Sequence, residues 1–344
     1  MTLTLFSFIA AMAVLMSYLV AYRVMGWRWL DRPNGRSAHR QATPLGGGAG
    51  VVTGAIVPMV YILLSGAGAD EASRIAILIG LGLVIALIGL VDDLRDISPG
   101  VKFFLIGLVC LAGAAFLYPV SSFALDHGQV HLPVVLAVAG TALWLFVMAN
   151  GVNFMDGCDS LIVLSAIAGV LMLAFLSLSA GNAIAALLAI SPVLGLLGFA
   201  PLNWSPARMF LGDSGSLFIG FWLGGTALFY IHDGPPGAIY ASVLIFMPWL
   251  SDVLLTMAWR LAKGRPLMQA HNDHLYQLLL RRGLSHGQVA ALLTAQVLAC
   301  GLLAWIMRSS ATSELLTLAA VAALSIIVHW QARTHLAPGN KAAG

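Results

Sequence analysis

The sequence predicts an all-α polytopic membrane protein of about eleven transmembrane helices. Of its 344 residues 60% are hydrophobic and only 9% charged, with a mean hydropathy of +0.93, whereas a soluble domain carries about 25% charge. The apolar residues run continuously instead of alternating, which excludes a transmembrane β-barrel. Divided into spans of about 20 residues with short connections, the chain has room for ten or eleven helices.

The spans read, in order, at roughly 3–22, 46–65, 73–91, 102–119, 131–149, 160–180, 183–200, 214–231, 238–260, 288–307 and 313–331. Nothing basic precedes Arg23, so the first run is expected to be an uncleaved helix and not a signal peptide. A short Ser-Ala-Gly-Asn turn at 179–182 separates the sixth span from the seventh. Of the 17 Lys and Arg residues, only Arg74 and Arg308 fall in one set of loops and the other 15 in the opposite set. By the positive-inside rule the N-terminus is outside and the C-terminus inside, which an odd number of spans requires. Residues 1–335 read as one integral-membrane unit and 336–344 as a short cytoplasmic tail. Cys110, Cys158 and Cys300 are scattered without ligand spacing, so neither a disulfide nor a zinc site is expected.

The chemistry-bearing residues concentrate in the basic set of loops. Asp92, Asp93 and Asp96 follow the third span at once. Each would cost roughly 2.5–3.5 kcal/mol at the bilayer centre, so they belong at the water boundary. If the helix continues, their spacing puts all three roughly on one side. Hard oxygen ligands of this kind suit Mg²⁺; a solvated acidic loop is the competing reading.

The first basic loop, 31–48, carries Arg36, Ser37 and His39, which could hold phosphate, and Gly46–Gly48, whose amides could approach an anion. A Gly/Pro-rich connector explains the same residues. In 150–161, Asn150, Asn153, Asp156 and Asp159 recur every three residues, a costly set beside a bilayer unless it binds something or caps helices. The GDSGS of 212–216 superficially matches a serine-protease segment, but it enters a membrane helix directly. Asp213 reads better as a metal ligand, a helix cap, or both. In 271–283, His271 and His274 are three apart, and with Arg281 or Arg282 they fit anion binding better than zinc. Asp252 lies inside the ninth span and is either functional or a buried tie between helices.

Together DDLRD (92–96), NGVNFMDGCDSL (150–161) and FLGDSGS (210–216) resemble the polyprenyl-phosphate N-acetylhexosamine-1-phosphate transferase superfamily, over about Asp31 to Gly287. The superfamily includes the phospho-MurNAc-pentapeptide translocase and the GlcNAc-1-phosphate transferases that begin O-antigen and related polymers. The resemblance implies a bacterial plasma-membrane enzyme with a cytoplasmic site. It would transfer sugar-1-phosphate from a UDP-sugar to undecaprenyl phosphate, with Mg²⁺ or Mn²⁺, and would have no nucleic-acid partner; a homodimer is left open. By motif position it implies that Asp213 binds the metal and Asn153 the metal or diphosphate. Asp92 and Asp93 would handle the lipid phosphate, Asp156 and Asp159 the uridine end, and His271 and His274 the diphosphate. Lys102 matches a basic position after the acidic motif.

One departure bears on the substrate. The pentapeptide translocase carries three consecutive histidines in its last internal loop, where this chain has HNDH at 271–274. The segment RPNGRSAHRQATPLGGG (32–48) also looks more like the O-antigen initiating subgroup. A UDP-N-acetylhexosamine, GlcNAc or a 6-deoxy relative such as FucNAc or QuiNAc, is therefore expected before UDP-MurNAc-pentapeptide. A transporter is the alternative of another class, but it calls for polar groups at the midplane and internal repeats, and neither pattern is found.

Overall fold

Runs of Leu, Ile, Val, Ala and Phe between Pro, Gly and Asn breaks fold into eleven helices long and apolar enough to cross a bilayer in the computed structural model, which describes residues 3–27, 29–31, 42–64, 66, 69–267, 269 and 271–336. They are α1 (Leu3–Met25), α2 (Gly47–Leu64), α3 (Ala72–Arg95), α4 (Pro99–Phe116), α5 (Val134–Met155), α6 (Leu161–Ser179), α7 (Ala183–Asn203), α8 (Gly212–Asp233) and α9 (Ala238–Ala262); after a short α10 (Leu275–Arg281) come α11 (His286–Met307) and α12 (Ala311–Leu336). Local chemistry sets several boundaries. Pro99 opens α4, where its missing N–H costs nothing. The Asn182 side chain accepts the Ala185 amide at 2.8 Å to start α7. Ser285 and Gln288 cap α11 reciprocally.

The bundle is organised around α8, nine-tenths buried although it is the least apolar of the eleven. The order is physical: a lipid-facing helix must be apolar all along its exposed face, while an enclosed one can carry Ser, Thr and Gly and pack by shape. Helices α2, α3, α5, α6, α7 and α9 surround it. Peripheral α1 and α12 show large apolar side chains instead, such as Phe8 at 63% and Trp330 at 72% exposure.

Three features differ from the sequence reading. Helix α5 runs on to Met155, so Asn150 and Asn153 sit on helical turns instead of in a loop. The segment expected to be a plain loop around 121–130 holds a hairpin, β3 (Ser122–Leu125) with β4 (Gly128–His131), at the end away from the acidic motifs; a short pair, β1 (Leu30–Asp31) with β2 (Thr43–Pro44), flanks the first loop. Helix α10, not among the expected spans, is too short for a periodic pattern to mark it. Residues 32–41, with Arg36 and His39, and the tail 337–344 lie outside the described residues.

Candidate active site

At one end of the bundle the last turns of α3 and α5 meet the first turns of α4 and α8. Helix α3 ends when Asp96 turns left-handed (φ 48°) and its amide bonds the Asp92 carbonyl at 3.0 Å. Its last full turn therefore carries Asp92 and Asp93 out of the apolar run together. Close packing aims them: a Cβ on Gly89 would strike the Asp213 carbonyl and the Ser214 amide, so only glycine lets α3 approach the start of α8. Gly212, at φ 76°, makes the turn into α8, and a Cβ there would meet the Asp93 carboxylate.

The contacts are charge-rich. Asp93 accepts the Asp213 amide at 2.9 Å and the Ser214 amide at 3.2 Å, and so caps α8 from outside. Asp213 is thus not the cap of its own helix; it stands in the first turn. Its carboxylate accepts the Asn153 side-chain amide at 2.7 Å and pairs closely with the Lys102 ammonium. Lys102 also reaches Asp92 at 2.8 Å, while the other Asp92 oxygen takes the Ile97 amide at 2.8 Å. One lysine therefore bridges the ends of α3 and α8, and the position matched only by resemblance lies at the centre of the cluster.

A cleft of about 670 Å³ opens over this cluster. Asp31, Asp92, Asp93, Asp96, Asp156, Asp159 and Asp213 line it, with Asn153, Asn203, Phe210, Asn272, Gln277, Arg281 and His286 among the others. Eight of the residues singled out in sequence are thereby brought together: Asp92, Asp93, Asp96, Asn153, Asp156, Asp159, Asp213 and Arg281. Burial, then the Asp213 and Asp93 charges, then Asp159, push the Asp156 carboxyl well above the usual range. Burial would also raise Asp159, but the neighbouring His286 ring and the Ala207 amide outweigh it and hold that carboxyl low. The Asp159 amide itself donates to His286 Nδ1 at 3.0 Å.

Other expected residues fall elsewhere. Asn150 is buried, donates to the Phe146 carbonyl of its own helix at 2.9 Å, and is not in the cleft wall. The Gly47 and Gly48 amides are spent on the Phe210 and Leu211 carbonyls, so this glycine run is a packing seam and not an anion cradle. His274 is buried at the head of α10, and neither it nor His271 lines the cleft. Burial, then the His274 and Arg260 charges, lower His271 to about 4, so it is neutral at physiological pH. Asp31, Asn203, Asn272, Gln277 and His286 are the lining residues that sequence reasoning missed. Asp31 opens the 31–48 loop and could have been picked out there; Asn203 closes α7, and Gln277 and His286 depend on the fold of α10 and the start of α11.

The donor set fits a hard divalent cation. Carboxylates far outnumber Arg281 and His286 in the wall, and an anionic ligand could enter only with added positive charge. Among the described residues no group of three or more His, Cys, Asp or Glu makes a ready metal cage. Mg²⁺ commonly takes one or two carboxylates and completes its shell with water and phosphate, and the Asp213 carboxylate beside Asn153 is a donor pair of that kind.

Known proteins resemble this chain over the segments that build the cleft. The sequence profile of glycosyl transferase family 4 matches residues 75–231, which run from early in α3 to near the end of α8 and hold most of the acidic cluster. A probable undecaprenyl-phosphate N-acetylglucosaminyl 1-phosphate transferase of Bacillus subtilis (strain 168) is 26% identical over 75% of this chain and 71% of its own length. A phospho-N-acetylmuramoyl-pentapeptide-transferase of Deinococcus radiodurans is 30% identical over 74% of this chain and 83% of its own length. An undecaprenyl-phosphate alpha-N-acetylglucosaminyl 1-phosphate transferase of Yersinia pestis is 27% identical over 80% and 75%.

Proposed function

The chain belongs to the polyprenyl-phosphate N-acetylhexosamine-1-phosphate transferase superfamily, within glycosyl transferase family 4, and from that membership we propose that it transfers sugar-1-phosphate from a UDP-N-acetylhexosamine to undecaprenyl phosphate. The sugar is GlcNAc or a 6-deoxy relative, and the product begins an O-antigen or related envelope polysaccharide in the bacterial plasma membrane, with the cleft facing the cytoplasm. The observation that carries the reading is the acidic cleft bridged by Lys102, set at the end of the bundle where a lipid headgroup and a soluble nucleotide can meet.

In the reaction a lipid-phosphate oxygen attacks the β-phosphorus of the UDP-sugar. A new diphosphate bond forms to the lipid, the α–β bond of the nucleotide breaks, and UMP leaves with that electron pair. A phosphate monoester with a second pKa of about 6 is already a competent nucleophile near pH 7, which favours direct attack over an enzyme-bound intermediate. Asp213 and Asn153 are the residues to hold Mg²⁺ or Mn²⁺, which when bound offsets phosphate charge and polarises the attacked centre. Asp92 orients or deprotonates the lipid phosphate from its fixed place between Ile97 and Lys102. Asp93, with its oxygens on two amides, orients Asp213. Asp156 and Asp159 serve the uridine end. Arg281, Gln277 and Asn272, which reach the cleft wall, take the diphosphate contacts that the resemblance implies for His271 and His274.

The test is release of labelled UMP from a panel of UDP-sugars by purified protein in detergent with undecaprenyl phosphate. A UDP-N-acetylhexosamine is expected to give UMP and a lipid-linked sugar. The panel includes UDP-MurNAc-pentapeptide, because the 30% identity to the Deinococcus enzyme favours that second reading. No turnover of any UDP-sugar overturns both.

A further inference from the structure

We infer that Asp252 is a positioning residue for the cleft wall formed by α10, and that Thr256 and Arg333 extend this support to α12. The inference rests on the reading above only for which substrate that wall serves.

Asp252 is buried in α9, and its oxygens are fully engaged. One accepts the Leu275 amide at 2.8 Å and the Thr256 hydroxyl at 3.2 Å; the other accepts the Tyr276 amide at 3.2 Å. Leu275 and Tyr276 are the first two residues of α10. Their amides have no partner within a helix, and a carboxylate set against them satisfies both and complements the helix dipole. A seven-residue helix cannot hold itself together in isolation, so its place depends on such outside contacts. The residue after Tyr276, Gln277, lines the cleft, as do Leu280 and Arg281 about one turn on.

The support continues in both directions. The Tyr276 hydroxyl donates to the Phe154 carbonyl at 3.1 Å, tying α10 to the end of α5 beside Asn153 and Asp156. On the other side Thr256 accepts from the Arg333 guanidinium at 2.9 Å. Arg333 is itself fixed by His329 at 3.0 Å and by the Trp259 ring, whose centroid lies 4.2 Å away. A buried guanidinium on a peripheral helix is costly unless it does something. Here it orients the Thr256 hydroxyl, which flanks the carboxylate beneath α10 together with His274 Nδ1, 3.4 Å from the same oxygen. With its oxygens occupied in this way, Asp252 is a tie between elements and not a carrier of ions.

The experiment uses full-length protein in detergent with Thr256→Val, which keeps shape and loses the hydroxyl, Thr256→Ser, which restores it, and Asp252→Asn. Hydrogen exchange of residues 275–281 is measured without substrates, and KM is measured for the UDP-sugar that the wild type turns over and for undecaprenyl phosphate. In Thr256→Val, exchange of the Leu275 and Tyr276 amides should accelerate about tenfold. KM for the UDP-sugar should rise about fivefold, with kcat and the lipid KM within about twofold of wild type. Thr256→Ser should behave as wild type, and Asp252→Asn should resemble Thr256→Val or be more severe. Unchanged exchange in Thr256→Val overturns the inference. So does faster exchange without a change in the UDP-sugar KM, or an equal rise for both substrates. Exchange needs no turnover, so a protein inactive toward every UDP-sugar sinks the proposed function and still leaves the Asp252 contact tested.

Discussion

The Asp93 carboxylate accepts the Asp213 amide at 2.9 Å. An acid in the last turn of one helix thus fixes the first turn of another, and Asp213 is held at the cleft by a residue 120 positions away in sequence. Both acids belong to motifs that read from sequence as independent ligands; in the fold one holds the other.

That relationship makes Asp93 a stability residue as well as a site residue. Asp93→Ala leaves the Asp213 and Ser214 amides without their carboxylate and should cost about 2 kcal/mol or more, read as a lower melting temperature in detergent. Asp93→Asn keeps one acceptor oxygen and should melt nearer the wild type, yet also be poorly active, because the charge that complements the α8 terminus is gone. If Asp93→Ala melts like wild type, the capping role is wrong.

Asp156 should work against stability. Its carboxyl is raised well above the ordinary 3.8, so the folded chain binds its proton more tightly than the unfolded one does. Below 3.8 both states are protonated and the group is neutral in effect. As pH rises past that value the unfolded state ionises first, and stability falls until the folded-state group also ionises. Asp156→Asn should therefore melt above wild type at neutral pH, with the gap closing in acid, while transfer is impaired. Melting curves from pH 4 to about 8 check this, and a gap that does not shrink in acid argues against it.

Orientation is testable with the chain's own chemistry. All three native cysteines are buried, so an impermeant thiol reagent should meet little background. Arg265→Cys, in the basic set of loops, should be protected in intact cells and labelled after lysis, and His127→Cys, in the hairpin turn, should be labelled from outside. The reverse pattern inverts the topology.

How far sequence could go is clear from particular residues. Hydropathy alone marks eleven spans because a bilayer demands continuous apolar runs, and the helices match them. Asp92, Asp93, Asp156, Asp159 and Asp213 were legible because a charge at a membrane boundary needs a reason. Asn150 misled because period-three spacing does not say which helical face meets the cleft. Imidazoles in a basic loop suggest anion binding, but the fold buries His274 at the head of α10 and neither His271 nor His274 lines the cleft. Gln277 and Arg281 enter the wall through α10, whose place is set by Asp252 from another helix, a contact that no local pattern encodes.

The sharpest separation of roles is between Asp213 and Asp92, which share Lys102. Asp213→Asn keeps size and an acceptor for Asn153 but loses the charge that would balance a divalent cation. It should fold, insert and lose about a hundredfold or more in UMP release. Raising Mg²⁺ should recover part of the rate, because a weakened site is refilled by mass action. Asp92→Asn loses a charge on the other side of the same lysine, next to the proposed lipid phosphate. Its loss should fall on turnover, and added metal should not restore it. Higher pH should help, because the lipid phosphate then sheds its second proton, with a pKa of about 6, without a base. Rates across Mg²⁺ and pH titrations for both variants read this out. If both respond alike to metal, Asp92 is a ligand as well; if both keep near-normal transfer, the catalytic cluster lies elsewhere in the cleft.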